Sequence, residues 1–289
     1  MRRMGYLHIE NLYKSQDILL FRECYALEKV HGTSAHVKWS EGCVLNFFSG
    51  GESHERFKAL FDQNDLTNRL RALTHPDITI FGEAYGGKCQ GMSATYGPEL
   101  RFIAFDVKVG EYWLSVPDAE QVATALGLEF VPYVRLPTDL SNLDWCRDAP
   151  SILAANRGCG LDKKKEGVVL RPLVELTKNN GDRIIAKHKR DEFRERATPQ
   201  KVIDPDKLKV LADADAIAAE WVTEMRLAHV IDKICPVPDI GATPKVIAAM
   251  VEDVEREAAG EIVVSKEARA AIGRRTAQLF KARIATILR

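Results

Sequence analysis

From residue 18 to residue 48 the chain carries apolar, strand-like runs, one of which alternates apolar and polar positions with a period of two from Ala35 to Trp39. Ile18-Leu19-Leu20-Phe21 leads one run, Ala35-His36-Val37-Lys38-Trp39 forms a second, and 43–48 a third, punctuated by Gly42 and Gly50-Gly51. That rhythm predicts strands on both sides of Glu28-Lys29-Val30-His31-Gly32-Thr33-Ser34. Phe57, Leu60, Phe61, Leu70 and Leu73 then recur at helical spacing and predict a helix over 54–73, ended by Pro76-Asp77. Ile78 to Phe81 reads as a short strand running into Gly82-Glu83-Ala84-Tyr85-Gly86-Gly87, a turn that carries a carboxylate. A strand is expected at 102–107, with 112–116 as its hairpin partner. Asp118 with Gln121 reads as a capping box for a helix ending near Gly127. A strand at 129–134, an irregular or helical stretch at 138–156, a flexible basic turn at 163–165, and strands at 167–171 and 183–189 complete this part.

After residue 198 the strand rhythm stops. Helices are expected at 205–233, 244–259 and 265–288, the second opened by Thr243 as N-cap and Pro244 in the first turn. The pattern predicts an α+β domain over 1–198 and a small all-helical domain over 199–289, with the boundary near 198–204.

Composition adds bounds. With 46% apolar and 28% charged residues over 289 positions, the chain reads as soluble and globular, long enough to bury a full core. The formal net charge is zero, so bulk charge neither suggests nor excludes nucleic acid. The six cysteines show no CxxC spacing, which points to reduced thiols and a cytoplasmic setting. Arg2 and Arg3 precede no apolar run of signal-peptide length, and no segment reaches membrane-spanning length.

The candidate chemistry gathers on Lys29, a lysine two residues before a His-Gly turn and bordered by strand-like sequence, where an amine can be desolvated and made nucleophilic. Attack of an amine on an α-phosphorus needs charge neutralisation on the phosphate oxygens and a metal for the leaving pyrophosphate. Lys187 and Lys189 share one face of a strand and supply the first. Glu83, Glu166 and Asp106 are the candidate metal carboxylates. Phe102 offers a flat face for a base, and Gly32 and Thr33 lie close enough to the lysine to touch phosphate or ribose. His31 is expected to orient Lys29 or a phosphate. His36, His54, His75 and His188 form no metal-ligand spacing.

Glu28-Lys29-Val30-His31-Gly32-Thr33 resembles motif I of the covalent nucleotidyltransferases, in the form found in ATP-dependent RNA ligases of the phage RNA-ligase-two type, the RNA-editing ligases included. Phe81 to Tyr96 resembles motif III, Phe102 to Val107 motif IIIa, Glu166-Gly167-Val168-Val169 motif IV, and Lys187 with Lys189 the paired lysines of motif V. The resemblance covers roughly residues 5–195. It implies a nucleotidyltransferase fold of ATP-grasp-like antiparallel sheets with flanking helices. It implies that Lys29 accepts AMP from ATP, that Glu28 reads and Phe102 stacks on the adenine, that Glu83 contacts the ribose, and that Glu166 serves the metal, magnesium or manganese. AMP then passes to an RNA 5′-phosphate, and an RNA 3′-hydroxyl displaces it, at a nick, a break or a splinted end. One position departs from the family: the usual basic residue between motifs I and III is missing from Leu45–Gly51, leaving Lys38 or Arg56 as substitutes. Arg183, Lys187, Lys189, Arg190, Arg194 and Arg196, and in the helical region Arg269, Arg274, Arg275, Lys281 and Arg283, are candidate RNA contacts. The alternatives are a DNA ligase or capping enzyme, against which the absence of a β-barrel pattern after motif V argues, and a non-catalytic RNA-binding protein of the same fold. No membrane partner is expected, and no oligomer is predicted.

Overall fold

β1 (Glu23–Lys29) ends on the lysine, and three residues later β2 (Thr33–Ser40) begins in a different sheet. The computed structural model describes residues 5–40, 44–198, 202, 210–234 and 239–287, the side chain of 287 excepted. The chain divides into two compact units, Met1–Arg190 and Asp191–Arg289.

In the first unit β2 is followed by β3 (Val44–Ser49), α1 (His54–Lys58), α2 (Gln63–Ala72), β4 (Ile78–Gly86), α3 (Ser93–Tyr96), β5 (Leu100–Val109) and β6 (Tyr112–Trp113). Then come α4 (Val116–Ala125), β7 (Tyr133–Pro137), α5 (Leu140–Asp148), α6 (Ile152–Asn156), β8 (Gly167–Pro172) and β9 (Ala186–Lys189). Two antiparallel sheets result, one ordered β7-β1-β8-β9 and the other β3-β2-β4-β5-β6. On β2 the period-two pattern is literal: Ala35, Val37 and Trp39 are buried, and the residues between them are half-buried. One core cluster joins these residues to Phe57, Leu66, Leu70, Phe102 and Ala123; another unites Leu27, Val30, Tyr85, Tyr96, Ile103 and Leu153.

Several elements differ from the sequence expectation, each for a local reason. The 54–73 helix is two helices, because Asp62 accepts hydrogen bonds from the Asn64 and Asp65 amides and caps a new start. The cap of α4 is Ser115, not Asp118, which sits inside the first turn. β4 runs on through Gly82-Glu83-Ala84-Tyr85-Gly86, so Glu83 lies in a strand rather than a turn. Burial of Ile78, Ile80 and Phe81 at roughly 1.5–3 kcal/mol each outweighs the ~0.5–1 kcal/mol that a strand glycine costs. The 129–134 strand begins later, at Tyr133, with Phe130 making only an isolated bridge to Ala104. Lys165 is buried, so 163–165 is not a solvated turn.

The second unit holds α7 (Ala214–Trp221), α8 (Glu224–Ile234), α9 (Thr243–Glu257) and α10 (Lys266–Ile287), packed on Trp221, Leu227, Val246, Met250, Ile272 and Phe280. Its other described pairing is a bridge between Leu211 and Ile262. It starts earlier than residue 199, since Ala197 donates to the Glu220 carbonyl (2.7 Å) and Arg196 pairs with the Glu220 carboxylate (2.8 Å). Thr243 is the first helical residue of α9 and Ala242 its N-cap. The expectations at Gly42, Cys43, 205–209 and 288 lie outside the described residues. Among the described residues no helix is long and apolar enough to cross a membrane.

Candidate active site

Lys29 pairs across the sheet with Gly167 on β8, and Gly167 pairs with Lys189 on β9. The middle residue of this three-strand row has no side chain. A Cβ at Gly167 (φ +150°) would strike the His188 carbonyl, so glycine is required there. The carboxylate of Glu166 occupies the site instead. Its Oε2 lies 2.9 Å from the Lys29 amine and 3.0 Å from His31 Nδ1, and its Oε1 lies 2.8 Å from the Lys189 amine. Glu166 is 2% exposed. Burial alone would raise its pKa, yet Lys189, Lys29 and the His31 hydrogen bond hold it well below the usual carboxylate range. An ionised carboxylate only accepts, so His31 carries its proton on Nδ1.

The turn after Lys29 is fastened to the second sheet. Glu83 faces Ser34 and Ile103 in its sheet, and its Oε1 accepts the Gly32 amide at 3.2 Å. Gly32 packs so closely on the Ala84 carbonyl and on Glu83 that a Cβ would collide with both. The buried Tyr96 hydroxyl accepts the His31 amide at 3.4 Å. Lys187 sits two residues before Lys189 on the same face of β9 and is 9% exposed.

Three expected site residues stand elsewhere. Glu28 is next to Lys29 on a strand, so its side chain points to the opposite face. There it accepts from Ser151 Oγ (2.5 Å) and from the Ile152 (2.9 Å) and Leu153 (3.3 Å) amides, capping α6. Its carboxylate is taken up by this cap. Burial pushes its pKa up, against the opposing hydrogen bonds and the charge of Lys165. Asp106 is fully buried and its carboxylate is taken up by Arg171 Nη1 (3.0 Å), Arg183 Nη1 (2.6 Å) and the Tyr6 hydroxyl (2.6 Å), which removes it from the metal set. Phe102 pairs with Ala84, on the face away from Glu83, and its ring packs edge-on against Phe57 (5.6 Å) and Phe61 (5.5 Å) as core. The same strand carries a second aromatic, Phe105. It is the extra residue of a β-bulge, since Phe81 pairs with Asp106 and Gly82 with Ala104, and it packs half-buried against the core cluster that holds Ile103 and Leu27.

Thr33 starts β2 one residue from Ser34, on the other face, with its hydroxyl beside Gly50 and buried without a partner. The two substitutes for the missing basic residue each have an acidic partner: Lys38 pairs with Asp77 (3.6 Å) and Arg56 with Glu52 (3.0 Å). The basic cluster at 183–196 is also dispersed. Arg183 pairs with Asp106 and Glu175, Arg190 bonds the Asp148 carbonyl (2.8 Å), Arg194 bonds the Ala197 and Asp191 carbonyls, and Arg196 pairs with Glu220 and Glu261. In the helical unit Arg269 pairs with Glu255, Arg274 with Asp215, and Arg275 bonds the Val222 carbonyl. Lysines 187 and 189 keep their place in the candidate site.

Among the described residues no group of three or more His, Cys, Asp or Glu side chains is arranged to hold a metal. Glu166 and Glu83 are the carboxylates at the Lys29 turn. Two carboxylates suit a magnesium-type ion that takes its remaining ligands from substrate phosphates and water.

The family model described as RNA ligase matches residues 22–189. Among solved structures the chain is similar to Naegleria gruberi RNA ligase with PPi (TM-score 0.52, 15% identity) and to mutants of that ligase with AMP and Mn (0.53, 14%) and with ATP and Mn (0.53, 15%). Each of these alignments covers 67% of this chain and 58% of the other, so the chain spans less than two thirds of the proteins it resembles. At such identity the likeness is one of fold. A comparison with curated proteins found no match. The matched stretch takes in more than half of the chain, from the residue before β1 to Lys189 at the end of β9, and the chain therefore belongs to the RNA ligase family.

Proposed function

We propose that this protein is an ATP-dependent RNA ligase that joins RNA 3′-hydroxyl and 5′-phosphate ends through a lysyl-AMP and an RNA-adenylate, at nicks or splinted breaks, in the cytoplasm. The observation that carries the reading is the row Lys29–Gly167–Lys189 with the Glu166 carboxylate set between the two amines. In the first step Lys29 Nζ attacks the α-phosphorus of ATP. Lys29 gives its ammonium proton to solvent, the neutral amine forms the nitrogen–phosphorus bond as the bond to the pyrophosphate oxygen breaks, and the second proton shed by the nitrogen also leaves to solvent. Glu166, whose pKa its cationic partners lower, stays an ionised carboxylate. Its part is to hold Lys29 and His31 in place and to offset the charge of Lys189 until phosphate arrives. Lys187 and Lys189, on one strand face, then balance the anionic phosphate oxygens. Phe105 offers the base a ring that Phe102, locked in the core, cannot. A divalent cation, when bound, screens the triphosphate, and Glu83 and Glu166 are the residues that would hold it. The neighbours' AMP, ATP, PPi and Mn support this set of ligands. The described elements of the second unit are helices and one short bridge, which favours RNA ligation over the barrel-bearing DNA ligases and capping enzymes.

The test is incubation with ATP labelled on its α-phosphate, plus magnesium or manganese. The protein is expected to acquire label and Lys29→Ala to acquire none; equal labelling of the two overturns the reading. Nicked duplex RNA is then expected to be sealed faster than nicked DNA, and the reverse order makes the protein a DNA ligase.

A further inference from the structure

We infer that residues 6–12 form a positioning strap for the nucleotide site, with Tyr6 and the Glu10–Leu12 backbone as its two fastenings; the inference rests on the function proposed above. At one end the Lys187 amide donates to the Glu10 carbonyl (2.9 Å) and the Leu12 amide donates to the Lys187 carbonyl (2.9 Å). Asn11 is thereby bridged in parallel to Lys187. The outer edge of β9 is held at this one residue, while its inner edge pairs with β8. Leu12 is 1% exposed and anchors this end in the interior. The Glu10 carboxylate lies near His8 (3.4 Å) and Lys14 (3.8 Å), and the charge of Lys187 also acts on it.

At the other end Tyr6 reaches the five-stranded sheet. Its ring stands edge-on to Phe105 (4.9 Å) and Trp113 (5.7 Å) and tilted against Phe81 (5.1 Å). Its hydroxyl donates to Asp106 (2.6 Å) and accepts from Arg183 (3.2 Å). One seven-residue segment thus touches the bulged aromatic on β5 and the lysine on β9, which belong to different sheets. A bulged ring has no ladder partner to fix it, and a four-residue strand is weakly held by pairing on one edge alone. The strap supplies both constraints. Tyr6 is a positioning residue: it acts through Phe105 and, along the backbone, through Lys187.

The full chain carrying Tyr6→Leu or Tyr6→Phe is assayed for the rate of lysine labelling at saturating ATP, the KM for ATP, and hydrogen exchange of the Lys187 amide. Tyr6→Leu keeps apolar bulk but not the ring or the hydroxyl. It is expected to slow labelling about tenfold, since small misplacements of reacting groups cost that much or more, and to speed Lys187 exchange while the melting midpoint stays above assay temperature. Tyr6→Phe restores the ring and is expected to recover labelling to within about threefold of the unsubstituted protein. Slower labelling with unchanged Lys187 exchange, or faster exchange with unchanged labelling, overturns the inference. So does failure of Tyr6→Phe to recover what Tyr6→Leu loses. Should Tyr6→Leu not fold, the same two quantities are read on Leu12→Val, which loosens the other fastening, and no change in either overturns it. If the unsubstituted protein takes no label, the proposed function fails, and the exchange measurement still shows whether residues 6–12 hold Lys187.

Discussion

The side chains on either side of the β1 terminus divide their work by strand alternation. Lys29 points into the site and Glu28 away from it, onto the start of α6. Glu28→Ala is therefore expected to cost stability. It strands the Ser151 hydroxyl and the Ile152 and Leu153 amides, a loss of about 1–3 kcal/mol, with the preference for ATP over GTP in lysine labelling unchanged. Denaturant unfolding and nucleotide competition check the two halves. A variant of normal stability that loses its ATP preference would return Glu28 to base reading. The family motif led to Glu28 as an adenine contact, but a period of two, applied to adjacent residues, already placed it on the other face. Glu166 was legible as a carboxylate of the site. Its three simultaneous partners were not, because they come from β1, the β1–β2 turn and β9.

Within the five-stranded sheet, β2, β3 and β4 enclose His36. Its ring stacks on Phe48 (4.9 Å) and tilts on Phe81 (5.6 Å). Burial there, helped by the charge of Lys38, lowers its pKa from 6.5 to about 4. A lowered value in the folded state means that the unfolded chain binds the proton first. The contribution of His36 to stability is complete above pH 6.5 and declines as pH falls through about 4. Chemical unfolding measured from pH 7 to pH 4 should show that decline, and His36→Phe should flatten it; an equal slope in both proteins would exclude His36 as its source. Strand content was readable from alternation, as on β2. The extent of β4 was not, since Gly82 and Gly86 signal a turn in one dimension. In three dimensions Gly82 leaves room for the Phe102 ring and the Ile103 carbonyl, which occupy the place of its missing Cβ.

Across the first unit the two sheets are tied by a buried ion cluster. Asp106 on β5 meets Arg171 on β8, Arg183 beyond it, and Tyr6, while Glu175 joins both arginines. Asp106→Ala takes one of the two carboxylates shared by these buried guanidinium groups and leaves Glu175 alone between them. It is expected to destabilise the protein by about 3–5 kcal/mol, read as a lower unfolding midpoint with or without magnesium. A loss of metal-dependent labelling at unchanged stability would instead restore Asp106 to the metal set. The charges that looked like RNA contacts in the chain, Arg183, Arg190 and Arg196 among them, are spent on such internal pairs.

What one dimension settles here is order and chemical kind: Lys29 before His31-Gly32, a carboxylate before Gly167, alternating lysines at 187 and 189, strands up to β9 and helices after it. These follow from local periodicity and from residue types that few chemistries need in that succession. Folding alone selects which carboxylate lies against the lysine and which is buried against arginine, which phenylalanine is locked in the core, and which basic residues are paired internally. Those outcomes depend on sheet register, on one bulge and on partners distant in the chain, and nothing within a few residues of Phe102 or Asp106 encodes them.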